Sequence, residues 1–181
     1  MMDDELEIPS RYGYVAILLH WVVAALIVST FAIGVVMVDI PGLTPAKLRY
    51  FSWHKWLGVT ALGLVALRLL WRWWHGVPPA IAMPRWQQRA ASLTHALLYL
   101  LMLAVPLSGY FYSLAAGVPV VYFGIWSLPV LIEADPVLKP VFKQIHLALV
   151  YTLFVMVMVH LLAAIKHQLI DRDGLLKRML P

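Results

Sequence analysis

The chain has 181 residues, of which 62% are hydrophobic and 13% charged, a balance outside that of soluble globular domains. Lys and Arg outnumber Asp and Glu by 14 to 9, but the excess is spread over short segments between apolar runs, which argues against nucleic acid as a partner. The absence of cysteine excludes disulfides, iron–sulfur clusters, zinc–thiolate sites and covalently attached c-type haem. An integral membrane protein is predicted.

The first ten residues are acidic and precede a long apolar run. A secretory signal peptide would begin with basic residues and carry a shorter apolar stretch. The first hydrophobic helix is therefore predicted to be retained.

Four apolar segments are long enough to cross a bilayer, which takes about 20 residues of helix. They are residues 15–38, 53–74, 92–115 and 142–166. The fold class predicted is an all-α, integral membrane four-helix bundle, and residues 1–181 form a single transmembrane domain. Residues 39–45 and 75–79 are rich in Pro and Gly and are predicted loops. Residues 117–132 are apolar but interrupted by Gly and Pro, which predicts a segment lying at the membrane interface.

Four spans place both termini on the same side of the membrane. Basic residues are more numerous on that side, so both termini are predicted to be cytoplasmic. The terminal side carries Arg11, Arg68, Arg72, Arg85, Arg89, Lys166, Arg172, Lys177 and Arg178, and the opposite side carries Lys47, Arg49, Lys55, Lys139 and Lys143.

Four histidines lie inside the spans, where histidine is costly unless it faces the bundle interior and has a partner. His20 is near the terminal-side start of span one, and His54 is at the opposite start of span two. In span four, His146 and His160 are fourteen residues apart, about 21 Å along a helix and roughly 40° short of four full turns. Antiparallel packing then predicts two depth-matched pairs, His20 with His160 and His54 with His146.

Each pair can supply the two axial nitrogens of a haem iron, because neutral imidazole is a good iron ligand and porphyrin buries well among apolar side chains. The prediction is therefore two non-covalent haem b groups with all four histidines on iron. Two axial ligands leave no open position, which favours electron transfer over oxygen chemistry. The alternatives are helix capping and a proton pathway, for which the spans lack carboxylates.

The chain resembles the bacterial cytochrome b561 family over residues 10–181. The likeness is carried by Ala16-Ile17-Leu18-Leu19-His20-Trp21, by Trp53-His54-Lys55-Trp56-Leu57-Gly58, by Arg68-Leu69-Leu70-Trp71-Arg72 leading to Pro78-Pro79, and by the spacing of His146 and His160. The resemblance implies a four-helix, two-haem cytochrome of the bacterial inner membrane. It also implies electron exchange with ubiquinone, and compact members of the family oxidise periplasmic superoxide.

Further residues are candidates for cofactor contacts. Arg68, inside span two, is a candidate partner of a haem propionate, with snorkelling to the interface as the alternative. His95 and His167 are candidates for a quinone site, and the alternative for both is again an interfacial position. The basic residues opposite the termini can attract an anion such as superoxide or bind lipid phosphates.

The leading hypothesis is a quinone-reducing oxidoreductase that moves electrons from a periplasmic donor, preferably superoxide, through the two haems to ubiquinone. A second hypothesis is a haem-bearing anchor subunit of a dehydrogenase or hydrogenase, or a partner of a redox protein. A third is a haem-free, His-dependent transporter, for which the chain lacks Cys and clustered Met. Membrane lipid is a partner in all three.

Overall fold

A computed structural model describes residues 11–81 and 83–180. The acidic segment at residues 1–10, on which the prediction of a retained first helix partly rests, lies outside the described residues. The described residues contain four long helices, all long and apolar enough to cross a membrane. These are α1 (Tyr14–Asp39), α2 (Pro45–His75), α3 (Arg85–Ala115) and α4 (Leu138–Lys166). The predicted four-helix membrane fold is confirmed.

Three of the helices begin earlier than their apolar spans because polar first turns extend them. At α2, the Thr44 side chain accepts a hydrogen bond from the Lys47 N–H at 3.2 Å, and Pro45 occupies the first helical position. Before α4, the Asp135 carboxylate accepts hydrogen bonds from the N–H groups of Val137 and Leu138. Hydropathy detects only the membrane-embedded part of each helix.

The helices pack as two antiparallel pairs, α1 with α2 and α3 with α4, and α2 joins them by packing on α3. Leu98, Leu101 and Leu153 form a buried cluster between α3 and α4. In the described chain, α4 does not pack its backbone closely against α1 or α2. The four span histidines face each other across the interior, from α4 on one side and from α1 and α2 on the other.

A short hairpin joins α3 to α4 at the end of the bundle opposite the termini. Strands β1 (Val121–Tyr122) and β2 (Trp126–Ser127) pair antiparallel, and the turn between them places Phe123 and Gly124 at φ 50° and 73°. Positive φ at two successive turn residues matches the twist of a tight hairpin. The hairpin is fixed to α2 because the Trp56 indole N–H donates to Val121 O at 2.8 Å. The predicted interfacial segment thus contains a β-hairpin.

The C-terminal segment folds back onto α1. After α4, residues His167–Asp171 form a π-helical turn, and Arg172 at φ 52° ends it. The Trp21 indole N–H donates to Met179 O at 2.7 Å, and Arg11 donates to Leu180 O. The two described ends of the chain therefore meet at one end of the bundle.

Candidate functional site

The structure brings the four span histidines together as two facing pairs. The hairpin-side pair, His54 and His146, has ring centres 6.3 Å apart and ring planes at 89°. The terminal-side pair, His20 and His160, also has ring centres 6.3 Å apart, with planes at 74°. In both pairs one ring comes from α4 and the other crosses from α1 or α2.

The separation within each pair fits two axial ligands of a single metal ion. An imidazole nitrogen binds a first-row metal at about 2.0–2.1 Å. Since the ring centre lies about 1 Å behind that nitrogen, two such rings on opposite sides of one iron have centres roughly 6 to 6.5 Å apart. Direct hydrogen bonding between two imidazoles would bring the rings closer. The donor set and its spacing therefore fit a haem iron at each level.

Hydrogen bonds fix the proton of each ring in the hairpin-side pair. His54 Nδ1 lies 3.0 Å from Thr30 O, and His146 Nδ1 lies 3.1 Å from Val105 O. A carbonyl oxygen can only accept, so Nδ1 carries the proton in both rings. The lone pair of the neutral ring is then on Nε2, the nitrogen needed for metal binding.

Glycines stand against both rings of the hairpin-side pair. A Cβ at Gly34 would lie 3.1 Å from His54 Cε1, and a Cβ at Gly109 would lie 2.9 Å from His146 Cε1. The absence of a side chain at these positions allows the rings to approach α1 and α3. In the sequence, nothing distinguishes these two glycines from the other glycines in the spans.

The terminal-side pair has a different environment. In the described residues, no hydrogen bond is made by His20 or His160. Arg68 lies nearby, with its Nη1 donating to Ala16 O at 2.8 Å and its Nε donating to the Tyr99 hydroxyl at 3.0 Å. These two bonds hold the Arg68 guanidinium inside the bundle between α1 and α3. This position suits a partner for an acidic group at the terminal-side level.

The two histidines that the sequence suggested for a quinone site lie on different elements and have different neighbours. His95 lies on α3 with its ring centre 5.5 Å from that of His160, so a third imidazole stands at the terminal-side level. His167 lies beyond α4, and its Nδ1 is 2.6 Å from Asp173 and 3.2 Å from Asp171. Among the described residues, no hydrogen bond or ring contact joins His95 to His167.

The carboxylates beside His167 each have more than one partner. Burial alone would raise the pKa of Asp173, but hydrogen bonds from the Leu175 N–H and from His167 outweigh it, and the pKa is lowered from 3.8. Asp171 is bound by the Lys166 ammonium at 2.6 Å. Sequence reasoning missed both aspartates, although the four-residue spacing of His167 and Asp171 was visible as a helical pair.

The basic residues at the hairpin end differ in exposure. Arg49, Lys139 and Lys143 are exposed, whereas Lys47 and Lys55 are half-buried. The Lys47 ammonium donates to Ile40 O at 2.6 Å, which uses part of its hydrogen-bonding capacity at the end of α1. The three exposed cations are the ones available to an anion arriving from solvent.

Fold and site together define a class: a helical membrane protein with paired imidazoles at two levels of its interior. The family model described as prokaryotic cytochrome b561 matches residues 11–181. The chain belongs to the prokaryotic cytochrome b561 family. It is therefore a multi-pass bacterial membrane protein, and family membership implies b-type haem and electron transfer.

Three relatives cover nearly the whole chain. Cytochrome b561 homolog 2 of Escherichia coli is 31% identical over 95% of this chain and 92% of its own length. Cytochrome b561 homolog 1 of the same organism is 27% identical over 95% of this chain and 98% of its own length. A probable superoxide oxidase, CybB, of Yersinia pestis is 27% identical over 94% of this chain and 96% of its own length.

Proposed function

We propose that this chain is a single transmembrane domain that moves electrons between a periplasmic donor and ubiquinone, using two haem b groups. His54 and His146 would hold one haem, and His20 and His160 the other. When bound, each haem supplies one-electron redox chemistry. The observation that carries the proposal is the pair of 6.3 Å imidazole separations at two levels of one apolar interior.

Other residues of the chain orient these ligands or provide a charged partner for the haem. Thr30 O and Val105 O orient the rings of His54 and His146 so that Nε2 is free for iron. At the other level, the Arg68 guanidinium is held where it can pair with a haem propionate. The stacked rings of Phe31 and Phe154, 5.1 Å apart, bridge α1 and α4.

Superoxide is the donor we favour, and two observations support it. One relative is named as a probable superoxide oxidase, and the hairpin end carries exposed cations that attract anions. In the overall reaction two superoxide anions each lose one electron and leave as dioxygen. One quinone takes up both electrons and two protons and leaves as quinol.

The quinone is proposed to react at the terminal-side level, with His95 and His167 as candidate hydrogen-bonding partners. His167 Nδ1 lies within hydrogen-bond distance of the carboxylates of Asp171 and Asp173 at that end of the bundle. We propose this cluster as a relay for the two protons that quinone reduction takes up. The orientation proposed has both termini in the cytoplasm and the hairpin in the periplasm of an inner-membrane protein.

The first test is the haem content of the purified protein with a redox titration. Two b haems per chain with separable midpoint potentials are expected. A colourless protein from haem-replete cells would rule out the proposal and leave a haem-free transporter as the better hypothesis.

The second test concerns the donor. Stopped-flow mixing with superoxide, with catalase present, should reduce the haems rapidly, and the rate should fall as ionic strength rises because the attraction is screened. Absence of reduction would refute superoxide as donor without affecting haem binding. Co-purification of a partner subunit in mild detergent would instead favour an anchor role.

A further inference from the structure

Helix α3 contributes neither histidine of the hairpin-side pair, yet three residues of one of its turns contact the His146 ring. Val105 and Ser108 contact Nδ1, and Gly109 lies closest to Cε1, the carbon bonded to Nδ1. Ser108 is only 7% exposed, so its hydroxyl group has no access to bulk water. The contact is therefore a defined polar site inside an apolar bundle.

The hydrogen-bond directions in this turn are determined by its donors and acceptors. The Ser108 hydroxyl donates to Val105 O at 2.8 Å. His146 Nδ1 is 3.0 Å from Ser108 Oγ and 3.1 Å from Val105 O. With its own proton on Val105 O, the hydroxyl oxygen accepts from Nδ1–H, which is shared between the two oxygens. His146 thus has two acceptors on its Nδ1–H, whereas His54 has one.

Gly109 limits where the ring can lie. A Cβ at this position would be 2.9 Å from Cε1, 3.2 Å from Nδ1 and 3.5 Å from Nε2. The first distance is shorter than carbon atoms tolerate, so an added methyl group must turn or displace the ring. The ring planes of His146 and His54 meet at 89°.

We propose that the turn of α3 containing Val105, Ser108 and Gly109 is a positioning device for His146, setting both its ring orientation and the reduction potential of the hairpin-side haem. The proposal rests on the haem ligation proposed above. Acceptors on Nδ1–H make the imidazole a stronger electron donor to iron, which stabilises the ferric state. Ser108 therefore lowers the potential of this haem, and Gly109 holds the two ligand planes near perpendicular.

Two variants separate these roles. Ser108→Ala removes one acceptor without adding bulk, and Gly109→Ala adds the methyl group that the ring cannot accommodate. Ser113→Ala is the control for the first, because Ser113 is on the same helix, is also 7% exposed, and donates to Val118 O instead of contacting a histidine. Gly63→Ala is the control for the second, because no atom lies within 4 Å of its added Cβ.

The readouts are the midpoint potentials of both haems and the low-spin ferric EPR signals, which depend on the angle between the axial imidazole planes. Ser108→Ala is expected to raise the potential of one haem and leave the other unchanged. Gly109→Ala is expected to shift the EPR signal of that same haem or to lower its occupancy. Ser113→Ala and Gly63→Ala should match the unmodified protein in both measurements.

His146→Ala identifies the haem concerned and separates the two proposals. If it removes no haem, the proposed ligation is wrong. If it removes one haem, the proposed ligation stands. The positioning role of α3 is then refuted if Ser108→Ala leaves both potentials unchanged and Gly109→Ala leaves both EPR signals and the haem occupancy unchanged.

Discussion

The two histidine pairs have the same separation but are held by different means. At the hairpin side, backbone carbonyls of Thr30 and Val105 fix the rings, and Gly34 and Gly109 stand against them. At the terminal side, no hydrogen bond holds either ring in the described residues, and the neighbours are the Arg68 guanidinium and the His95 imidazole. One pair is fixed by backbone geometry and the other is surrounded by charged or protonatable groups.

This difference suggests a division of tasks. Imidazole rings that are hydrogen-bonded to backbone carbonyls of two helices change their orientation little when the haem is reduced. This suits a site that accepts electrons one at a time from a small donor. A level with a half-buried cation and a third imidazole can respond to added charge and to protons, which suits the proposed reaction with quinone. Substitutions at one level should then affect the haem of that level and not the other.

The largest effect is expected from removing one ligand of each pair. His146→Ala and His160→Ala should each lower haem content by about half, because each of the two proposed haems would lose one of the histidines that hold it. Different haems should be lost, as judged by the remaining reduced absorption bands and potentials. Loss of the same haem in both variants would show that the two levels are not independent sites.

Replacing Arg68 should affect the terminal-side haem alone. A nearby cation disfavours the ferric state, so Arg68→Gln should lower that haem's potential by about 40–60 mV, since a charge interaction of roughly 1 kcal/mol corresponds to this shift for one electron. A redox titration measures it, with Arg89→Gln at an exposed position as the control. An equal shift of both potentials would contradict the placement of Arg68.

Lowering the pH should destabilise the terminal end of the bundle before it destabilises the hairpin end. Because the pKa of Asp173 is lowered from 3.8 in the folded chain, its hydrogen bonds stabilise the C-terminal turn fully above that pH, and the contribution is lost as pH falls through the folded pKa. The protection factors of residues 167–180, which correct hydrogen exchange for its intrinsic pH dependence, should therefore be steady from pH 7 to 5 and fall below about pH 4.

At pH 7, Asp173→Asn should raise that exchange several-fold, the effect of losing about 1 kcal/mol. Asp39→Asn, at an exposed position, serves as the control. Unchanged exchange in Asp173→Asn would mean that the turn is held by other contacts, such as Trp21 on Met179 O.

The smallest effect is expected at the hairpin. Trp56→Phe removes the hydrogen bond to Val121 O, which is worth about 1 kcal/mol, so the unfolding temperature should fall by about 2–4 °C. Trp126→Phe, with a 72% exposed side chain in the same hairpin, should leave it unchanged. If both variants behave alike, the hairpin is not anchored through Trp56.

Much of the fold and the depth of the histidines could be predicted from the sequence, because each depends on a pattern within a single helix. Hydropathy alone identified the four spans, since a bilayer requires a fixed length of apolar helix. The fourteen-residue spacing of His146 and His160 fixed their relative depth and direction, because helical rise and rotation are constants of the backbone. The polar first turns of α2 and α3 were missed because they lie outside the apolar windows.

Only the tertiary structure decided which groups meet between helices. Every residue carries a carbonyl oxygen, so nothing in the sequence marked Thr30 O and Val105 O as partners of histidines on other helices. Nothing in the sequence distinguishes Gly109 from the other span glycines, and only the packing of α3 places it against His146. The contacts of His95 with His160 and of His167 with Asp173 likewise appear only in the structure. Such contacts depend on helix rotation and tilt, which side chains from several distant segments set together.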